Sequence, residues 1–257
     1  ESINALFQIL SMDTFWSGVI IGFFAQVIDG ALGMAYGISA TTFLLSLGTS
    51  PAVASASVHI AAVFTTGLSG IAHVKFGNVS KTLFIRLLMP GIIGAFCGVL
   101  FVTKLDGDLI KPLVSLYLLI MGGLIIKKSI FKKKQTKINE SKISKLALAG
   151  GFMDSAGGGG WGPIVTSTLV GAGQDPRSTI GSVNFAEFFL TLGTAGFFSI
   201  FIATAPWPII FGLVVGGLFA APFAALLCKH LPIKFLMIIV GCVVSILSII
   251  NIFQFFK

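Results

Sequence analysis

Two stretches decide how this chain folds: Ile28-Asp29-Gly30-Ala31-Leu32-Gly33-Met34-Ala35-Tyr36-Gly37 and Met153-Asp154-Ser155-Ala156-Gly157-Gly158-Gly159-Gly160-Trp161-Gly162. They align residue for residue at an offset of 125, with the acid, the glycines and the aromatic in the same order. The match continues through Thr41/Thr166, Leu44/Leu169, Gly48/Gly173, Pro51/Pro176, Ser57/Ser182, Val58/Val183 and Ala61/Ala186. After one inserted residue, Thr65-x-Gly67-x-x-Gly70 matches Thr191-x-Gly193-x-x-Gly196. The chain is therefore a duplication, with halves over 1–126 and 143–257 joined by a Lys-rich linker over 127–142.

The medium in which these halves fold follows from composition. The 257 residues are 55% hydrophobic, 12% aromatic and 10% charged, with a mean hydropathy of +1.00. Soluble domains carry about 25% charged residues, so the chain reads as a polytopic membrane protein. That excludes a soluble enzyme, a nucleic-acid binder and a disulfide-stapled secreted domain. Cys97, Cys228 and Cys242 all fall in apolar segments without metal-ligand or CxxC spacing, and are expected to pack as small residues. No metal and no cofactor is expected. No basic n-region marks the first apolar block as a removable leader.

Each half contains four apolar blocks, near 14–48, 51–72, 83–103 and 109–126, then 146–172, 176–201, 207–228 and 234–255. Six of them suit single membrane-crossing helices. The leading block of each half is longer, and its glycine cluster breaks it near the middle. The +8 net charge is distributed unevenly: eight of the 15 lysines lie between Lys127 and Lys145, with Glu140 as the sole acid among them. The segment holding His73, Lys75 and Lys81 is basic, whereas its counterpart 203–207 has no charge. Lys229, His230 and Lys234 are likewise matched by a segment in which Lys104, Asp106, Asp108 and Lys111 cancel. The positive-inside rule then places 73–82, 127–145 and 229–234 in the cytoplasm and 104–108 and 203–207 outside. Corresponding loops face opposite sides, so the halves are expected to be inverted copies. Inversion requires an odd number of crossings per half, so each broken block must enter and leave on one side, as a re-entrant hairpin or two short crossings. The predicted fold is an all-α polytopic membrane protein of two inverted repeats, each a glycine-broken hairpin plus three transmembrane helices.

Inverted repeats with interrupted helices are the plan of secondary transporters, with the substrate held at the breaks. New half-helices are expected to begin near Tyr36 and near Trp161, where unpaired amides and the positive dipole end favour an anion. Gly30, Gly33, Gly157, Gly158 and Gly159 would let groups approach the backbone, and Ser39, Thr41, Thr166 and Ser167 would add hydroxyl donors. The alternative is that the glycines serve only close helix packing. Asp29 and Asp154, beside the breaks, are candidates either for carrying a coupling proton or for capping the break by accepting backbone N–H bonds. His59 aligns with Asn184, but Ala62 aligns with Glu187, so the halves differ there; Glu187 lies about one turn from Asn184 on the same face. Gln26 sits one turn before Asp29. His59 and Glu187 each have a purely structural alternative, and packing is the commoner role for Trp161 and Tyr36.

Gln26-Val27-Ile28-Asp29-Gly30 through Gly37, Ala56-Ser57-Val58-His59, Phe76-Gly77-Asn78-Val79, Gly157 through Pro163, and Gly181-Ser182-Val183-Asn184-Phe185-Ala186-Glu187 resemble the TauE/SafE sulfite exporter family of bacterial membrane proteins. The resemblance covers nearly the whole chain outside the linker. It implies export or exchange of small sulfur-containing anions, sulfite or sulfonates among them. The predicted function is a secondary transporter of the bacterial inner membrane, in which Asp29, Asp154 and Glu187 serve proton or ion coupling or the structure of the cavity. Rival readings are an anion channel of the same architecture, a membrane scaffold, and an intramembrane enzyme. The last is disfavoured because no Ser/His/Asp set, HExxH or Cys/His metal spacing occurs.

Overall fold

The computed structural model describes residues 13–32, 34–130, 140–202, 205–230 and 233–255. All regular structure among them is helical. In chain order the elements are α1 (Asp13–Leu32), α2 (Tyr36–Ser46), α3 (Pro51–Lys75), α4 (Lys81–Lys104), α5 (Gly107–Ile130), α6 (Glu140–Gly157), a π-helical turn (Gly162–Thr166) running into α7 (Ser167–Gly171), α8 (Pro176–Phe201), α9 (Trp207–His230) and α10 (Ile233–Phe255). The first five elements recur as the second five. Among the described residues, five helices are long and apolar enough to cross a membrane: Pro51–Lys75, Lys81–Lys104, Gly107–Ile130, Arg177–Phe201 and Met237–Gln254. The sixth expected crossing is α9, whose 24 residues run from Trp207 to His230. The middle of the Lys-rich linker, 131–139, lies outside the described residues.

Local signals set the helix ends. Ser80 caps α4 by accepting from Leu83 N, and Asp175 caps α8 by accepting from Ser178 N at 2.8 Å. That backbone hydrogen bond is the main reason the exposed Asp175 carboxyl is held below the usual carboxylate range. The two short arms, α2 and α7, end in the same way. Gly48 and Gly173 both adopt φ +86°, Gly48 N donates to Leu45 O and Gly173 N to Val170 O, and Thr49 N and Gln174 N reach back to Leu44 O and Leu169 O. This is a glycine-terminated Schellman cap made twice at corresponding positions, so the duplication extends to individual hydrogen bonds.

Packing repeats as well. α1 lies on α9, and its counterpart α6 lies on α4; α3 packs on its own counterpart α8, and α5 on its counterpart α10. Small residues make these contacts, as expected where lipid supplies no hydrophobic drive between helices. A Cβ on Gly18 or Gly22 would strike the α9 backbone at Ile209 and Leu213, and one on Gly212 or Gly216 would strike α1 at Phe15 and Val19. Gly94 and Gly98 do the same for α4 against Leu148 and Phe152 of α6. Both heterologous pairs run parallel. The homologous pairs run antiparallel: Gly67 faces Phe188 while Gly70 faces Phe185, and Gly122 faces Ser245 while Ile126 faces Gly241. Gly216→Leu should therefore separate α1 from α9. Overpacking costs about 1–3 kcal/mol where side chains can yield, and here the obstacle is backbone. We expect little monodisperse protein in detergent, whereas Gly123→Leu, whose added side chain begins in open space, should leave the yield near wild type.

Large apolar side chains cover the outside, including Trp16, Phe24, Met89, Leu113 and Phe253. Cys97 and Cys242 belong to this exposed set, which corrects the expectation that they pack inside. Their helices turn Gly94, Gly98 and Gly241 inward instead, and the cysteines lie to the side of these contacts.

Candidate functional site

The chain breaks twice, and the breaks meet. After α1 the backbone turns at Ala35, whose φ of +89° is rare for a residue with a side chain. After α6 it turns through Gly158, Gly159 and Gly160 at φ +72°, +156° and +146°. A Cβ on Gly37 would lie 2.7 Å from Gly159 Cα and 2.8 Å from Gly158 O. Thr41 Oγ1 donates to Gly158 O at 2.6 Å, binding one break to the other. Tyr117 on α5 donates to Gly159 O at 2.7 Å. Lys128, on the last turn of the same helix, donates to Pro163 O at 2.8 Å and to Ser167 Oγ. The second arm opens as a π-turn, where Pro163 O also accepts from the Ser167 hydroxyl.

The two aspartates play the same local part. Tyr36 N donates to Asp29 Oδ1 at 3.1 Å and Trp161 N to Asp154 Oδ1 at 2.9 Å, each spanning seven residues. Each carboxylate closes the end of one helix onto the first amide of the next. Of the two roles read from sequence, capping is the one the geometry displays. The first amide of each half-helix is thus occupied by protein.

A cavity of about 250 Å³ lies against both breaks. Of the residues singled out from sequence, Gln26, Asp29, Tyr36, His59, Asp154, Gly158, Gly159, Asn184 and Glu187 line it. Others serve beside it. Thr41 joins the breaks, and Gly157 makes room for the Tyr117 ring. Trp161 is fully buried with its indole N–H donated to Val183 O. Ser39 and Thr166 are buried but do not line the cavity. The surroundings of Gly30, and Gly33 altogether, lie outside what is described. Thr65, Thr66, Ser69, His73, Gly160, Pro163 and Thr191 line it too; Thr65 and Thr191 served as landmarks of the repeat, a signal that they occupy matched positions. Gln26 Oε1 and Tyr36 OH are buried without a protein hydrogen-bond partner, although a buried polar atom ordinarily has one. The cavity extends toward the His73 end of α3 and the Ile180 end of α8. On the other side of His59 a separate apolar pocket of about 210 Å³ is lined by Ala56, Ile60, Phe198, Ser199, Ile202, Ala205 and Trp207. No group of three or more metal-ligating side chains occurs among the described residues.

The model of the sulfite exporter TauE/SafE family matches residues 18–250, spanning every element that builds this site. The chain belongs to that family. A relative from Bacillus subtilis (strain 168), described as "Probable membrane transporter protein YtnM", is 44% identical over 230 residues, covering 86% of this chain and 77% of its own. No solved structure matches. As a TauE/SafE member the protein is a multi-pass membrane transporter and not an enzyme. Its substrate is a small molecule, and in this TauE/SafE chain the cavity just described is a polar space lined by residues of both breaks.

Proposed function

We propose that the protein is a secondary transporter that exports or exchanges small sulfur-containing anions, sulfite and sulfonates among them, by alternating access between inverted halves. The carrying observation is that glycine breaks from both halves face one polar cavity. Inversion is supported by the antiparallel packing of α3 on α8 and α5 on α10: copies related by a two-fold axis along the helices would pair parallel, and an axis across them pairs antiparallel. The site supplies neutral donors and close backbone rather than arginine. Tyr36 OH, unpartnered at the start of α2, is the donor best placed to take an anion oxygen, and the positive end of the α2 dipole lies beside it. With the basic segments read as cytoplasmic, the His73 side is the cytoplasmic side of an inner-membrane protein, and the reach of the cavity toward His73 supports an inward-facing reading.

Three carboxylates, Asp29, Asp154 and Glu187, line the same cavity. An anion can share it only if their charge is neutralised by protons or partners, so the proposal includes coupling to a proton or another cation. Reconstituted protein should show saturable counterflow of labelled sulfite or a short alkyl sulfonate against the same unlabelled anion. Tyr36→Phe, which deletes only the hydroxyl, should raise the half-saturating concentration about tenfold, the cost of one buried hydrogen bond to a charged group. Flux that neither saturates nor shows counterflow would favour the channel reading, and counterflow of cations alone would end the anion assignment.

A further inference from the structure

Corresponding positions in the two halves are bonded on one side of the cavity and apart on the other. His59 on α3 crosses to Asp154 on α6, with Nε2 2.9 Å from Oδ2. Beside this pair Ser55 Oγ donates to Ser155 O at 2.6 Å, and Ser155 Oγ lies 3.2 Å from Thr194 Oγ1 on α8. Thr194 Oγ1 donates to Leu190 O, so the Ser155 hydroxyl is the donor between them. These side chains are all buried, and the His59 ring lies 6.1 Å from that of Phe198, which lines the apolar pocket beyond. Exchange of the repeats turns Ser55, His59, Asp154, Ser155 and Thr194 into Ile180, Asn184, Asp29, Gly30 and Leu68. Ile180, Asn184 and Asp29 line the cavity. A hydrogen-bonded latch thus closes the Trp207 side, while the equivalent positions on the His73 side lack the hydroxyls and imidazole that would make one.

The latch contains a countable proton. His59 Nδ1 lies 2.8 Å from Ser55 O and 3.3 Å from Ser55 Oγ. The carbonyl can only accept, and the Ser55 hydroxyl hydrogen already points at Ser155 O, so Nδ1 must carry a hydrogen. The 2.9 Å contact between Nε2 and Asp154 then needs a second hydrogen, either on the ring as imidazolium facing carboxylate or on the carboxyl facing a neutral ring. Both arrangements give the pair zero net charge and one removable proton. Its removal leaves a choice of losses. If Nδ1 keeps its hydrogen, the Nε2 lone pair faces a carboxylate. If the ring changes tautomer, Ser55 loses its donor. Either way one buried hydrogen bond of the latch is lost. Other titratable groups around the pair are Asp29 on α1, Tyr36 on α2, His73 on α3, Tyr117 on α5 and Glu187 on α8; Tyr117 is held to Gly159 O, and the rest line the cavity.

We propose that His59 and Asp154 together form a proton-binding site that holds the Trp207 side of the transporter shut, so that loss of its proton opens that side. The pair lines the cavity on its His73 face, so the proton leaves into the cavity and from there to the His73 side. The consequence for coupled export rests on the alternating-access reading; the measurement below needs no substrate and does not.

The test places a single reporter cysteine, Thr65→Cys, in the cavity after Cys97, Cys228 and Cys242 are changed to serine. Sealed vesicles, with pH clamped equal on both sides, receive an impermeant maleimide on the Trp207 side. As the pH is raised through the range in which the protein stays folded, labelling should rise about tenfold relative to the same cysteine in Asp154→Asn, the shift expected when one buried hydrogen bond is lost. The asparagine is isosteric, accepts from Trp161 N through its oxygen and donates to His59 Nε2 through its amide. It mimics the protonated pair, so its labelling should stay low across the range once the reagent's own pH dependence is subtracted. His59→Ala should label readily at every pH. Labelling of Asp154→Asn that follows the wild type, wild-type labelling with no excess at high pH, or a closed His59→Ala would each overturn the proposal. Failure of sulfur-anion counterflow with the labelling pattern intact would instead remove the substrate assignment alone.

Discussion

Gly159→Ala should abolish transport and lower the thermal stability of the detergent-solubilised protein. Two costs combine at this position. The backbone sits at φ +156°, where a side chain is strained by about 1–2 kcal/mol. The added methyl would also fall on Ile38 N and the Gly37 backbone, and overpacking against an immovable neighbour adds about 1–3 kcal/mol more. The arms respond by separating, which pulls Gly158 O from Thr41 and Gly159 O from Tyr117. Thermal unfolding followed by size-exclusion chromatography should show a loss of several degrees, and counterflow should drop to the level of empty liposomes. Gly171→Ala, in the same arm but facing open space, is the matched control and should stay near wild type. A Gly159→Ala protein that transports normally would mean that the breaks need not touch.

The twin aspartates should respond unequally to truncation. Asp29→Ala removes the cap on Tyr36 N, a loss of about 1 kcal/mol. Asp154→Ala removes the cap on Trp161 N and also strands His59 Nε2, buried to 3% exposure, without its partner. Leaving one member of a buried pair uncompensated costs about 3–5 kcal/mol. Asp154→Ala should therefore unfold at a clearly lower temperature than Asp29→Ala, while Asp154→Asn should lie close to wild type. Equal destabilisation by the two alanines would refute the pairing of His59 with Asp154.

The difference between the two aspartates also shows how far one sequence can be read. The repeat, the helix count and the positions of the breaks are legible because membrane helices have lengths set by the bilayer and because acid, glycine and proline recur in register. α2 begins at Tyr36 and the second arm at Trp161, as the glycine clusters indicated. The sequence also holds Asp29 and Asp154 beside their breaks, but not the backward reach over seven residues by which each carboxylate meets the next helix. That distance depends on the angle of the turn, which Ala35 makes in a left-handed conformation that no residue preference announces. His59 and Asp154 are separated by 95 residues, and only the placement of α3 against α6 brings them together. Periodicity tells which residues share a helix face and is silent about which helix lies opposite. Trp161 and Tyr36 illustrate the same limit: aligned aromatics, yet the indole N–H is satisfied by Val183 O and the phenol is left without a partner in the cavity wall.

His59 lines the cavity, and its ring lies 6.1 Å from that of Phe198, which lines the apolar pocket beyond. α2, with 11 residues, is about 16 Å long, roughly half of a hydrocarbon core about 30 Å thick. Where aqueous solution penetrates to such depth, an applied voltage does not fall evenly across the bilayer; it concentrates on the thin insulating seam around His59 and Phe198. An ion displaced there by a few ångströms would cross a large part of the potential, worth about 2.3 kcal/mol per elementary charge per 100 mV for the full drop. The cell's resting voltage would then act on this protein as a force applied at a single ring of residues.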